Sequence, residues 1–270
     1  MAQQNSDWLG LRDRVCVVTG AGGGIGRAVA LGMAEAGASV VLLDKDEGRC
    51  QATAEVLRPT GARTLALACD IANPQSVAAA EHASRAIGPC DILVNNAGML
   101  LPGSLATVPL EEWNLLLSVN LTGYLLCAQA FGKAMIEHGR GAIVHTASIA
   151  GSNAQGFSGA YSVSKAGVLM LSRQLAVEWG PHGVRSNVMS PGLVRTPMSE
   201  SFYQTPGVAE RRAAAIPVGR IGTPEDMAQV VLFLASDRAA FVNGQEIIVD
   251  GGFEHMLMSL VPRPGFERGN

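Results

Sequence analysis

Short apolar runs alternate along the whole chain with longer, alanine-rich stretches. Residues 14–19, 39–44, 64–68, 91–95, 141–147, 184–189 and 245–249 read as strands. Residues 24–36, 74–87, 111–137 and 160–179 have the length and spacing of helices. Strand residues such as Val15, Val17 and Val18, or Ile92, Leu93 and Val94, leave no polar face. A strand buried on both faces belongs in a parallel sheet covered by helices on either side. Alternating β and α elements therefore predict a Rossmann-type doubly wound sheet in three α/β/α layers. No linker, internal repeat or low-complexity tract interrupts the pattern. The expectation is a single domain over residues 1–270, with 253–270 as a C-terminal tail.

Composition narrows the picture. The 270 residues are 48% hydrophobic, ample for a core, and only 16% charged, which hints at surface buried in an oligomer. The net charge of −3, with no basic block, argues against nucleic acid as a partner. Residues 1–10 are polar and lack a signal-peptide layout, and no run of about 18 apolar residues is evident. The expectation is a cytoplasmic protein with no membrane partner. Cys16, Cys50, Cys69, Cys90 and Cys127 form no C-x-x-C pair, and the five histidines are dispersed. The cysteines read as buried thiols, and no metal site is expected.

Candidate chemistry begins at Thr19-Gly20-Ala21-Gly22-Gly23-Gly24-Ile25-Gly26, between the first strand and the first helix. A pyrophosphate needs close backbone approach, free N–H groups and the positive end of a helix, and glycines at this turn permit all three. The second strand ends in Asp44, about 20 residues beyond the turn, where a carboxylate accepts hydrogen bonds from the adenosine ribose hydroxyls. It would repel a 2′-phosphate, so NAD is favoured over NADP, although Lys45 softens the repulsion. Asp44 can also be read as the cap of a following helix, with Glu47 completing a capping box.

Tyr161 and Lys165 are four apart on a predicted helix, so their side chains share one face. Carbonyl reduction needs a proton for the developing alkoxide, and oxidation needs its removal, so one group serves as acid and base. A free tyrosine, with pKa near 10, is a poor base at neutral pH, and a nearby ammonium lowers that value. Chance would seldom place such a pair in a chain with three lysines and three tyrosines, although a surface Tyr–Lys pair is the structural alternative. Ser148, just after the fifth strand, would bond the substrate oxygen, or else simply opens a loop.

Together these motifs resemble the short-chain dehydrogenase/reductase family, in its NAD-preferring subgroup. The resemblance rests on the Thr-Gly-x-x-x-Gly-x-Gly turn, Asn95-Asn96-Ala97-Gly98, Asn120, Ser148, Tyr161-x-x-x-Lys165 and Pro191-Gly192, and covers residues 11–252. It implies that Gly20, Gly24, Ile25 and Gly26 contact the cofactor diphosphate. Asp70 and Ile71 would flank the adenine, Asn96 and Gly98 the ribose, and Val194 and Thr196 the nicotinamide amide. Asn95 would hold the fourth strand, and Lys165 the nicotinamide ribose. Asn120 would hold, through its backbone, a water leading from Lys165 to solvent; a local helix kink there is the alternative. The family's tetramers imply a homotetramer built on helices 111–137 and 160–179.

Residues 99–101, 149–158 and 195–214 should line the substrate pocket. Asn153 and Gln155 hint at a polyol or sugar, though turn-forming polar residues are the commoner explanation. Residues 198–214 read as a mobile lid. The apolar tail 253–261, continued by Pro262-Arg263-Pro264-Gly265-Phe266, is expected either to cross a subunit interface or to pack on its own subunit. The reading is thus an NAD(H)-dependent oxidoreductase interconverting a secondary alcohol and a ketone. Two alternatives stay open. One is a 3-oxoacyl carrier-protein reductase using NADPH, against which stand Asp44 and the apolar Leu126 and Val177 where the family has basic carrier-binding residues. The other is a non-catalytic dinucleotide sensor or scaffold.

Overall fold

The structure is a computed structural model that describes residues 7–261 and 264–265. Its strands are β1 (Val15–Thr19), β2 (Ser39–Asp44), β3 (Thr64–Ala68), β4 (Ile92–Asn95), β5 (Gly141–Thr146), β6 (Val184–Pro191) and β7 (Glu246–Val249). All pair in parallel, in the order β3-β2-β1-β4-β5-β6-β7. The order reverses between β1 and β4, which opens a crevice at their carboxyl ends.

The helices are α1 (Gly24–Glu35), α2 (Glu47–Leu57), α3 (Pro74–Ser84), α4 (Leu110–Leu117), α5 (Gly123–His138), α6 (Tyr161–Trp179), α7 (Glu200–Tyr203), α8 (Val208–Ala215) and α9 (Pro224–Ala235). They cover both faces of the sheet. Cys16 and Val18 of β1 join Val29 and Met33 of α1 and Val231 of α9 on one side. Val15 and Val17 join Tyr124 and Phe131 of α5 and Leu175 of α6 on the other. Period-two alternation along a strand sends neighbours to opposite cores, which is why neither face could be polar.

Three expectations change. The helix read as 111–137 is interrupted: a π-helical turn, Ser118–Thr122, separates α4 from α5. Asn120 sits in that turn, so the sequence was right that helical spacing is disturbed there, and periodicity alone could not show how. Asp44 does not cap α2. Asp46 does, accepting a hydrogen bond from the Arg49 amide at 3.3 Å. Helix α9 lay outside the sequence reading, yet it carries a full capping box of Thr223 and Asp226, with Pro224 in its first turn.

Within Leu110–His138 an 18-residue window reaches a mean hydropathy of 1.4, so the stretch is long and apolar enough, by length and composition, to cross a membrane. Here it is spent inward, with Tyr124, Cys127, Phe131 and Met135 buried against the sheet. All five cysteines are buried and free. Of the segments read from sequence, residues 1–6, 262–263 and 266–270 lie outside the described residues.

Candidate active site

One cavity of about 1010 Å³ opens beyond the carboxyl ends of the strands. Its walls include Gly20, Gly24, Ile25, Asp44, Asp70, Ile71, Asn96, Gly98, Ser148, Tyr161, Lys165, Val194 and Thr196. The sequence had placed these residues in one site, and the fold brings them together. Gly26 and Asn120, also expected there, stand one layer behind the wall.

At the crevice the glycine turn is latched to β4. The Thr19 hydroxyl accepts hydrogen bonds from the amides of Asn96 (2.9 Å) and Ala97 (3.1 Å). The Asn96 side-chain amide donates to the carbonyls of Thr19 (3.1 Å) and Gly20 (3.4 Å). A methyl group on Gly26 would collide with the Gly20 carbonyl, and Gly20 itself has φ of +66°. Only glycine lets the first turn of α1 sit this close to the loop. A Cβ on Gly24, by contrast, would meet Thr196 and Pro197 at 3.5 Å, across the cavity. This bare cradle at the N-terminus of α1 fits a diphosphate.

Asp44 lies beside the turn. Its carboxylate accepts from the Gly22 amide at 3.1 Å and the Asp46 amide at 3.1 Å. Asp70 accepts from the Ala72 amide at 3.0 Å and faces Lys45 at 3.5 Å. Sequence reasoning missed Arg49, whose guanidinium reaches over the loop to Gly23. Its position on the first turn of α2, five residues after Asp44, was the available signal.

Ser148 ends the loop from β5. Its hydroxyl accepts from the Ala150 amide at 3.1 Å, opening a 3₁₀ turn at Ile149–Gly151. Lys165 is buried, and its ammonium donates to the Thr146 carbonyl at 2.9 Å and lies 5.7 Å from the ring centre of Tyr161. Burial pulls Lys165 down to about 7. Burial raises Tyr161 above the ordinary phenol value, while a hydrogen bond with Ser148 opposes the rise. The sequence argument had the ammonium lowering Tyr161. In the chain alone, burial is the largest influence on Tyr161, and the hydrogen bond with Ser148 is what opposes it.

Behind this wall, the Asn120 side chain accepts from the Met99 amide at 2.8 Å. It donates to the Met99 carbonyl at 2.9 Å and the Ser164 hydroxyl at 3.3 Å. Asn95 holds β4 to α5 through the Tyr124 carbonyl at 3.1 Å and meets His145 at 3.3 Å. Burial, with the Lys165 charge adding to it, holds His145 down near 3, so it is neutral.

Of the polar pocket residues, Asn153 donates to Glu254 (3.3 Å) and to the Ile149 carbonyl (3.3 Å). The start of the tail therefore packs on its own pocket, where Phe253 also lines the wall. The stretch expected to be a lid, 198–214, contains α7 and most of α8, and Phe202, Tyr203 and Arg212 from it line the cavity.

The family model described as enoyl-(acyl carrier protein) reductase matches residues 20–254. D-threitol dehydrogenase of Mycolicibacterium smegmatis is 40% identical over 245 residues, spanning 90% of this chain and 94% of that protein. NAD-dependent glycerol dehydrogenase of Listeria innocua is 38% identical over 244 residues, spanning 90% and 94%. The solved structure of a gluconate 5-dehydrogenase from Burkholderia cenocepacia, in complex with NADP and tartrate, superposes with a TM-score of 0.87. It is 33% identical and covers 92% of this chain and 98% of that one. The chain belongs to the short-chain dehydrogenase/reductase family. It is an oxidoreductase that interconverts a secondary alcohol and a ketone with a nicotinamide cofactor.

Proposed function

We propose that the chain is an NAD(H)-dependent dehydrogenase in which Tyr161 is the general acid and base, Ser148 orients the substrate oxygen, and Lys165 tunes Tyr161. The observation that carries this reading is the meeting of Tyr161, Lys165 and Ser148 in one cavity wall with Val194 and Thr196. The whole of residues 1–270 works as one dinucleotide-binding and catalytic domain.

Gly20, Gly24, Ile25 and Gly26 hold the diphosphate, with Gly26 acting through its fit against Gly20. Asp70 and Ile71 flank the adenine, Asn96 and Gly98 the ribose, and Val194 and Thr196 the nicotinamide amide. A bound nicotinamide supplies or takes up the hydride. In the oxidative direction Ser148 donates a hydrogen bond to the alcohol oxygen and Tyr161 accepts its proton; in the reverse direction Tyr161 returns it. As Tyr161 becomes a phenolate, its charge favours the ammonium form of Lys165, so the protonation states of the two groups are coupled. The π turn leaves the main chain at Asn120 irregular, which suits it to hold a water between Lys165 and solvent.

Asp44 supports NAD over NADP, because its carboxylate borders the adenosine end of the cavity and would repel a 2′-phosphate. The threitol and glycerol dehydrogenases support a hydroxyl-rich substrate. A homotetramer in the cytoplasm, built on α4, α5 and α6, draws support from the exposed apolar side chains Leu115, Leu125, Val163, Met170 and Val177 on those helices. Leu257, Met258, Leu260 and Val261 are exposed as well, which favours a tail that meets a neighbouring subunit.

The test is a panel of polyols, sugars and hydroxy acids followed by NADH and NADPH absorbance. Turnover of a secondary alcohol with NAD, at least about tenfold better than with NADP, is expected. Absence of turnover with either cofactor overturns the reading. Deleting residues 256–270 should weaken the tetramer or raise KM; unchanged assembly and kinetics would remove the tail from the interface.

A further inference from the structure

The lid carries an unbalanced charge. The guanidinium carbon of Arg212, on α8, lies 5.1 Å from the ring centres of both Phe202 and Tyr203. It is half-buried and lines the same cavity as Ser148 and Tyr161. Among the described residues no carboxylate pairs with it and no acceptor takes its N–H groups. Its neighbour Arg195 also approaches the Tyr203 ring, at 5.3 Å, but is neutralised by Glu200 through bonds of 2.9 and 2.6 Å.

The distribution of acids sharpens the contrast. The carboxylates lining the cavity are Asp44 and Asp70, both at the adenosine end and both already engaged. Among the described residues none lines the half that holds Ser148 and Tyr161. Lys165 spends its ammonium on the Thr146 carbonyl. The phenolic oxygen of Tyr203 is buried without a hydrogen-bond partner, a second polar group at the same place. An arginine stacked on aromatic rings keeps its N–H edge free and its rotamers restrained, so it meets a planar oxyanion in a bidentate fork at little ordering cost.

We propose that Arg212 is a substrate-binding residue and that the substrate is a hydroxy acid, a secondary alcohol whose carboxylate pairs with Arg212. One guanidinium balances one negative charge, which favours a carboxylate over a doubly charged phosphate. The proposal rests on the assignment of Ser148 and Tyr161 as the alcohol site. In oxidation the carbinol hydrogen leaves as hydride to the nicotinamide and the hydroxyl proton goes to Tyr161, giving the keto acid. The carboxylate changes no bond.

The test separates binding from turnover. The Tyr161→Phe protein, saturated with NAD, is titrated calorimetrically with matched pairs: D-gluconate and D-glucitol, 3-hydroxybutyrate and 2-butanol, mandelate and 1-phenylethanol. In at least one pair the acid should bind about 10- to 100-fold more tightly than its neutral partner, the range for a charge-assisted bidentate contact. Adding Arg212→Ala should erase that preference while leaving NAD binding unchanged, and Arg212→Lys should restore part of it. The proposal is overturned if no acid binds better than its partner, or if the preference survives Arg212→Ala. Turnover by the protein with Tyr161 intact then separates the two readings. Oxidation of the hydroxy acids with a KM that Arg212→Ala does not change sinks the clamp and leaves the dehydrogenase standing. Arg212-dependent binding of an acid that is never oxidised does the reverse.

Discussion

Lys165 donates a hydrogen bond to the main-chain carbonyl of Thr146, at 2.9 Å, and the same carbonyl accepts from the Tyr124 hydroxyl at 3.2 Å. The ammonium is thus tied to the end of β5 rather than extended toward solvent, which places it 5.7 Å from the Tyr161 ring centre. Among the described residues no carboxylate offsets the burial, and its proton is released at about 7 instead of 10.5.

That displacement makes stability depend on pH with a definite sign. Below about pH 7 Lys165 is charged in the folded and the unfolded chain alike, and the fold carries the full cost of a buried ammonium. Between 7 and 10.5 the unfolded chain binds more protons, so this contribution rises with pH. Lys165→Met should therefore raise the cofactor-free Tm most at about pH 6, and the gap should narrow toward about pH 10. Thermal unfolding across that range measures it; a gap independent of pH would show that Lys165 titrates normally.

Replacing Tyr161 by Phe removes one oxygen at the cavity wall and leaves the cradle intact. The expected loss in kcat/KM is about 100- to 10,000-fold, the usual reach of a positioned acid–base group. The Kd for NAD, read from quenching of NADH or protein fluorescence, should stay within about twofold. Activity near that of the unaltered chain would move the proton to another group.

Asp44 sets a charge beside the adenosine end while bracing the turn through Gly22. In Asp44→Asn the amide oxygen keeps an acceptor for that N–H, and the negative charge is gone. With Lys45 and Arg49 nearby, the ratio of kcat/KM for NADP to that for NAD should rise about tenfold or more. A ratio that does not move would mean that Asp44 is only a brace for the loop.

Much of this site was legible in advance because its parts are local. The Gly20–Gly26 turn, Asp44 at a strand end and the four-residue step from Tyr161 to Lys165 each state their geometry within one turn or one element. What sequence could not give are the relations across elements. The Thr19 latch to Asn96 spans 77 residues. The sign of the Tyr161 shift depends on burial by neighbours that no spacing reveals. The break at Ser118–Thr122 disturbs helical periodicity by one residue, too little to separate from a poor helix former. Arg212 carried no motif; only its stacking and its lack of a counter-ion single it out.

Asn120 offers the most specific test of that break. Its side chain satisfies both the N–H and the C=O of Met99 and reaches Ser164, so it pins the 98–100 segment to the π turn. Gly98 and Met99 form part of the cavity wall, and a Cβ on Gly98 would lie 3.7 Å from the Lys165 ammonium. Asn120→Ala leaves two half-buried backbone groups of Met99 without these partners, at a cost of about 1–3 kcal/mol in urea unfolding. The freed segment should also weaken NAD binding and raise KM for the alcohol. Asn120→Asp keeps the acceptor for the Met99 amide but turns the donor into a second anionic oxygen facing the Met99 carbonyl, so it should be no better in stability. Its carboxylate would sit near Lys165, favour the ammonium and move the alkaline limb of the pH–rate profile upward. An Asn120→Ala protein with an unchanged urea midpoint and unchanged NAD affinity would show that the side chain pins nothing, and would leave the main chain of the π turn as the only feature that matters there.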